Sequence, residues 1–185
     1  MNAPAPKVCF LYIAQTHQIL HSLPIAIELA RNWPQFDVHL AATSQAHLDY
    51  IDEALAQLGD APLTSSLLGP KWLRGIRPGR ATTPPKTAML VANARLLAGY
   101  DAVVTPERTT ALLRRLGVKR TKLVYTQHGA GDRGGPFEPR LGLFDLVMAA
   151  GPKQRDRMID SGLVAPENCA MVGYPKFDIV EALSP

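Results

Sequence analysis

Cysteine is scarce in this chain, with only Cys9 and Cys169 in 185 residues. That excludes a disulfide framework and offers no ligand spacing for zinc. Both thiols sit inside apolar runs, "VCFLYI" and "NCAMVG", and are expected to be buried in strands. Neither a resident metal nor a cofactor is expected. No apolar run reaches the roughly 18 residues a membrane span needs. The opening "MNAPAPKVCFLYIA" is too short and strand-like for a signal peptide, so a cytoplasmic protein is expected. Two nucleotide signatures and one nucleophile signature are also missing. The loop after the first strand reads "AQTHQILHS" rather than G-x-G-x-x-G, "GPKWLRG" is not a P-loop, and no serine elbow follows a strand. A net charge of +4, from 20 basic and 16 acidic residues, is too mild to argue for nucleic acid.

One absence is local. From Ala61 to Tyr100 the chain has no Asp or Glu, while it carries Lys71, Arg74, Arg77, Arg80, Lys86 and Arg95. One-sided charge attracts anions. Within it, "KWLRGIR" sets Trp72 and Ile76 among Lys71, Arg74 and Arg77. With Arg80, these residues suit an anionic acceptor or a peripheral contact with an acidic membrane surface. A solvated loop around a packed tryptophan is the plainer alternative.

The rest of the chain is globular, 46% hydrophobic and 19% charged, and of one-domain length. Short apolar runs alternate with helical patterns. "KVCFLYIA", "DVHLAAT", "DAVVT", "TKLVYTQ", "FDLVMAAG" and "NCAMVGYP" read as strands. "SLPIAIELARNW" and "SQAHLDYIDEALAQLG" read as helices starting after Ser22 and Ser44, with Gly59 closing the second. "KTAMLVANARLLAGY", "TPERTTALLRRLG" and "GPKQRDRMIDSG" are also helical, the second with Thr105 as N-cap and Pro106 in its first turn. Gly59 to Lys86 reads as one long loop. His39 and His47 read as strand and surface residues. Strands apolar on both faces and separated by helices predict an α/β fold, a doubly wound Rossmann-like, mostly parallel sheet of six or seven strands with helices on both faces.

Ligands of such sheets bind outside the carboxyl ends of the strands. His17, Glu107, His128 and Lys176 each follow a predicted strand. In "LVYTQHGAGDRGG", His128 can take a proton from a hydroxyl near neutral pH. Gly129 and Gly131 permit close backbone approach to an anion, and Arg133 offers a charged fork. A strand-capping histidine followed by turn-forming glycines is the structural alternative. His17 is a second candidate base, or else a polar loop residue.

"QHGAGDR" followed by "GYPKFD" resembles the CDP-glycerol glycerophosphotransferases, the teichoic-acid primases and polymerases of the GT-B fold. That family carries W-H-G-x-x-x-K and a later G-x-P-R-x-D at strand ends. Here Gln127 stands for the tryptophan, Arg133 for the lysine and Lys176 for the arginine. The histidine after the first strand is also similar to the sugar-nucleotide 2-epimerases of the same fold. The resemblance implies that residues 1–180 form the acceptor-side half of a GT-B enzyme. Residues 181–185 would begin a linker to a donor-binding domain absent from this chain, and the isolated chain would be inactive. It implies His128 as general base, with His17 behind it, and Gly129, Gly131, Arg133, Glu107 and Lys176 around substrate phosphate. The implied partners are a CDP- or UDP-linked donor and an anionic or lipid-linked acceptor for cell-envelope polymer synthesis. Two alternatives stay open: a stand-alone anion- or nucleotide-binding module, and half of an epimerase.

Overall fold

Residues 4–79, 81–127 and 138–182 are described in a computed structural model. Seven strands among them form one parallel sheet: β1 (Lys7–Tyr12), β2 (Asp37–Ala42), β3 (Thr64–Leu67), β4 (Ala102–Thr105), β5 (Lys122–Tyr125), β6 (Leu146–Ala149) and β7 (Cys169–Met171). Their order is β3-β2-β1-β4-β5-β6-β7. The order reverses between β1 and β4, which pair through Val8–Ala102, Cys9–Val103 and Phe10–Val104. This is the switch point at which the loops of neighbouring strands part to opposite faces and leave a crevice.

Among the described residues seven α-helices accompany the sheet: α1 (Leu23–Asn32), α2 (Gln45–Leu58), α3 (Lys71–Arg74, one turn), α4 (Lys86–Leu97), α5 (Leu112–Arg115), α6 (Pro152–Asp160) and α7 (Lys176–Ala182). None is long and apolar enough to cross a membrane. The apolar run of β1 follows from covering on both sides. Val8, Phe10 and Tyr12 join Ile27 of α1 and Ile51 of α2 in one core. Cys9 and Leu11 turn the other way, toward Leu90 of α4, Leu113 of α5 and Met158 of α6. Each fully buried large side chain contributes roughly 1.5–3 kcal/mol. Burial also pushes the Cys9 thiol far up, so that it packs as a small hydrophobe.

Three expectations need correction. Gly59–Lys86 is not one long loop, because it contains the edge strand β3 and the helical turn α3. β3 pairs with β2 from His39–Thr64 to Ala42–Leu67. Its sequence "TSSL" faces solvent and has no apolar alternation to reveal it. Thr105 does not cap the next helix, and Pro106 is not in its first turn. Glu107 is the cap, accepting from Thr109 N at 3.0 Å, and a 3-10 turn over Arg108–Ala111 leads into α5. Finally, His47 is fully buried rather than at the surface. Its Nε2 lies 2.6 Å from Ala14 O and its Nδ1 2.9 Å from Ser44 Oγ, tying the end of β1 to the start of α2.

Candidate functional site at the carboxyl edge of the sheet

The loop after β1 forms a 3-10 turn over Thr16–His21 and runs directly into α1. His17 is exposed on that turn, whereas Gln18 and His21 are buried beneath it. The His21 ring packs 5.4 Å from Tyr174, which follows β7. Thus the ends of two strands far apart in the chain meet on one side of the rim. Gly173 precedes that tyrosine with φ +78, a left-handed conformation that favours glycine in "GYP". Lys176 is half-buried as the first residue of α7.

Across the crevice, β4 ends in Thr105, whose Oγ1 donates to Leu11 O at 3.3 Å and accepts from Glu107 N at 3.1 Å. Glu107 is 7% exposed. Its carboxylate accepts from Lys86 Nζ at 2.6 Å and from Thr109 Oγ1 at 2.8 Å, besides the backbone bond. Burial alone would raise the carboxyl, but the Lys86 and Thr109 hydrogen bonds and the Lys86 charge outweigh it and hold Glu107 below the usual carboxylate value. The pair therefore fixes an ionised acid and a half-exposed cation at the mouth of the crevice.

The next strand end is the most unusual. Beyond β5 the chain continues through Thr126 and Gln127, both 5% exposed. Gln127 has φ +38, the sole positive φ outside glycine among the described residues. Such a conformation costs about 1–3 kcal/mol and persists only where surrounding contacts enforce it. One such contact is Gln127 Nε2 to Met158 Sδ at 3.4 Å. Four buried polar atoms at this edge, Gln18 Oε1, Tyr125 Oη, Thr126 Oγ1 and Gln127 Oε1, have no hydrogen-bond partner among the described residues. A buried group left unsatisfied costs about 1–3 kcal/mol, so four together mark a place adapted to something other than packing. His128, Gly129, Gly131 and Arg133 lie outside the described residues. Gln127 is the last described residue before them.

Sequence reasoning named His17, Glu107 and Lys176 for this rim, and each follows the carboxyl end of its strand. It missed Gln18, Thr126 and Lys86 as rim groups. A polar residue directly after an apolar strand, as in "VYTQ", is the signal that could have found Thr126.

The acid-free segment reaches the same edge. Leu68 N donates to Ala42 O at 2.7 Å where β3 ends, and the segment returns at Lys86 against Glu107. Gly69 turns it with φ +76, where an added Cβ would meet Met89 Cε at 2.8 Å. In α3, Leu73 is buried as an anchor, while Lys71 is exposed and Trp72 is 70% exposed. Arg77 is exposed, and its charge adds to burial in lowering the pKa of His47. Arg80 lies outside the described residues. Among the described residues no three His, Cys, Asp or Glu side chains converge as a metal site.

No family model matches the chain, and no curated protein matches it. Solved structures do. A UDP-N-acetylglucosamine 2-epimerase is similar over 97% of this chain and 49% of its own, with a TM-score of 0.64 at 15% identity. The S. aureus MnaA–UDP co-structure matches over 97% of this chain and 48% of its own, with a TM-score of 0.64 at 13% identity. The lipopolysaccharide outer core galactosyltransferase WaaB, in its apo form, matches over 90% and 45%, with a TM-score of 0.57 at 13% identity. The chain spans about half the length of each. Likeness at this identity establishes the fold: a Rossmann-like α/β domain of the GT-B type. The narrower CDP-glycerol likeness rests on the two sequence motifs alone.

Proposed function

We propose that this chain is the acceptor-side domain of a two-domain transferase that moves a glycerophosphate, phosphoalcohol or sugar from a nucleotide-diphosphate donor to an anionic or lipid-linked acceptor. The observation that carries the reading is the strained end of β5. Gln127 is held at positive φ with buried polar atoms around it, immediately before His128. Backbone strain of this kind clusters at active sites and ligand clamps.

His128 then takes the proton of the acceptor hydroxyl as its oxygen bonds to the transferred group. The bond to the nucleotide breaks, and the nucleotide leaves with its phosphate charge. Amides of Gly129 and Gly131 with the Arg133 guanidinium steady that charge, and Lys86 and Lys176 add cations at the rim. His17 is the alternative base. Positioning and electrostatics supply most of the acceleration in such transfers. Lys71, Trp72, Arg74, Arg77 and Arg80 engage the acceptor or the acidic membrane carrying it, at the cytoplasmic face. The donor-binding half is a second domain.

A second reading is favoured by the fold neighbours, several of which are 2-epimerases: half of a sugar-nucleotide epimerase. A turnover assay on the full-length gene product, with CDP- and UDP-linked donors and polyol-phosphate or lipid-linked acceptors, separates the two. Transfer with nucleotide release supports the proposal. Inversion at C2 of UDP-N-acetylglucosamine without an acceptor supports the epimerase. If neither reaction occurs, both enzyme readings fail and a binding module remains.

A further inference from the structure

A groove on the flank of α5 lies outside the rim site. It encloses about 400 Å³ between the start of α4, the residues around α5 and the 3-10 turn Pro139–Leu143. Leu112 and Leu143 give it an apolar floor, Arg115 and Arg140 line it with positive charge, and no acidic side chain lines it among the described residues. Thr87 and Thr109 complete the lining. Thr109 also donates its hydroxyl to Glu107, so the groove abuts the buried ion pair of the rim.

The adjacent arginines of α5 have different roles. Arg114 holds Asp145 and the carbonyls of Val118 and Thr121, closing the turn from α5 into β5. Arg115 has no acidic partner among the described residues. Arg140 has only a 3.5 Å contact with Glu138, and its side chain is 54% exposed. Two guanidinium groups beside an aliphatic floor therefore remain available to one ligand.

We propose that this groove binds an anionic amphiphile: a single alkyl chain ending in a phosphate monoester. The chain covers Leu112 and Leu143, and the phosphate meets the guanidinium forks of Arg115 and Arg140. Guanidinium matches phosphate geometry bidentately, which favours phosphate over a diffuse negative surface. Among the described residues that line the groove none is aromatic, and its two cations beside leucine favour a phosphorylated alkyl chain. Its volume falls in the roughly 300–1,000 Å³ range of small-molecule sites. The proposal is independent of the transferase reading, because it concerns another cavity and is read by binding rather than turnover.

The test is a titration of the isotopically labelled chain with decyl phosphate below its micelle concentration, followed by amide NMR shifts. Parallel titrations use inorganic phosphate and decyl maltoside, which separate the free anion and the bare chain from the amphiphile. Saturable shifts centred on Leu112, Arg115 and Leu143 are expected, with both controls at least tenfold weaker. Arg115→Glu/Arg140→Glu should weaken decyl phosphate about tenfold or more, as should Leu143→Asp, which keeps both cations. Circular dichroism confirms that each variant is folded, and Leu112→Asp replaces any that is not. Shifts that miss the groove, binding unchanged in the variants, or decyl maltoside binding as tightly would each overturn the proposal. So would a dimer in sedimentation that the double arginine variant dissolves, since the groove would then seat a second copy.

Discussion

Replacing Glu107 by glutamine tests whether the rim is organised around a buried ion pair. The side chain is nearly isosteric and can still accept from Thr109, so the change falls on the 2.6 Å contact with Lys86. A hydrogen bond to a charged group contributes about 1.5–3 kcal/mol. The Lys86 side chain is 40% exposed, however, and regains water when its partner is neutral. The discounted expectation is a loss of about 1–2 kcal/mol at pH 7. For a domain of this size that is a fall in Tm of about 2–8 °C. The pH dependence sharpens the test. Because the folded-state carboxyl lies below its ordinary 4.5, its contribution is complete above that value and disappears as pH falls through the folded value. Wild type should thus exceed Glu107→Gln at pH 7, and the gap should narrow as pH falls below 4.5. Urea unfolding followed by far-UV circular dichroism measures both. Equal stability at pH 7, or a gap that survives acidification, would refute the reasoning.

On the transferase reading, His128→Ala in the full-length gene product should lower kcat by roughly 10²-fold or more while the fold survives. Near wild-type turnover would move the base to another group, with His17 next. Lys71→Glu/Arg74→Glu/Arg77→Glu should abolish co-sedimentation with anionic liposomes and leave neutral ones unaffected. Wild-type binding should fade with salt as screening tightens to about 8 Å, and a wild type that ignores anionic liposomes at low salt would leave a soluble anion as the loop's partner. His47 and His39 are both lowered from 6.5, chiefly by burial. Their contribution is complete above pH 6.5 and is lost as pH falls, so the unfolding midpoint should drop from pH 7.5 to pH 5.5, and less steeply in His47→Asn. A flat profile would mean neither ring resists protonation.

The fold was legible because β1 and β4 leave short apolar runs, and β2 one broken only by His39, between helices with clear stops. β3 was not, since an exposed edge strand needs no hydrophobic residues and "TSSL" carries almost none. His47 carried a readable signal: it precedes Ile51 by four positions, on the helix face that meets the sheet. Glu107 was placed correctly at a strand end, but its partner Lys86 is 21 residues upstream and paired only by the fold. Gln18 was illegible for a different reason, and Thr126 offered only its place directly after an apolar strand. Amides and hydroxyls are ordinary in loops, and these become distinctive only once burial leaves their oxygens unpartnered.

The acid-free segment and the rim acid now have a common physical sense. The segment from Leu68 to Lys86 begins at the carboxyl end of edge strand β3 and ends against Glu107 beyond the central strand β4. Its cations therefore share the edge that carries the unpartnered oxygens. An unpaired carboxylate at the centre of that edge would oppose an approaching anion. Glu107 is instead matched by Lys86, so the positive field of the loop is not cancelled where the crevice opens. The unpartnered Gln18 amide oxygen can accept and the Thr126 hydroxyl can accept or donate, while Arg74 and Arg77 bring positive charge. On the transferase reading, a phosphorylated, hydroxylated acceptor would suit both.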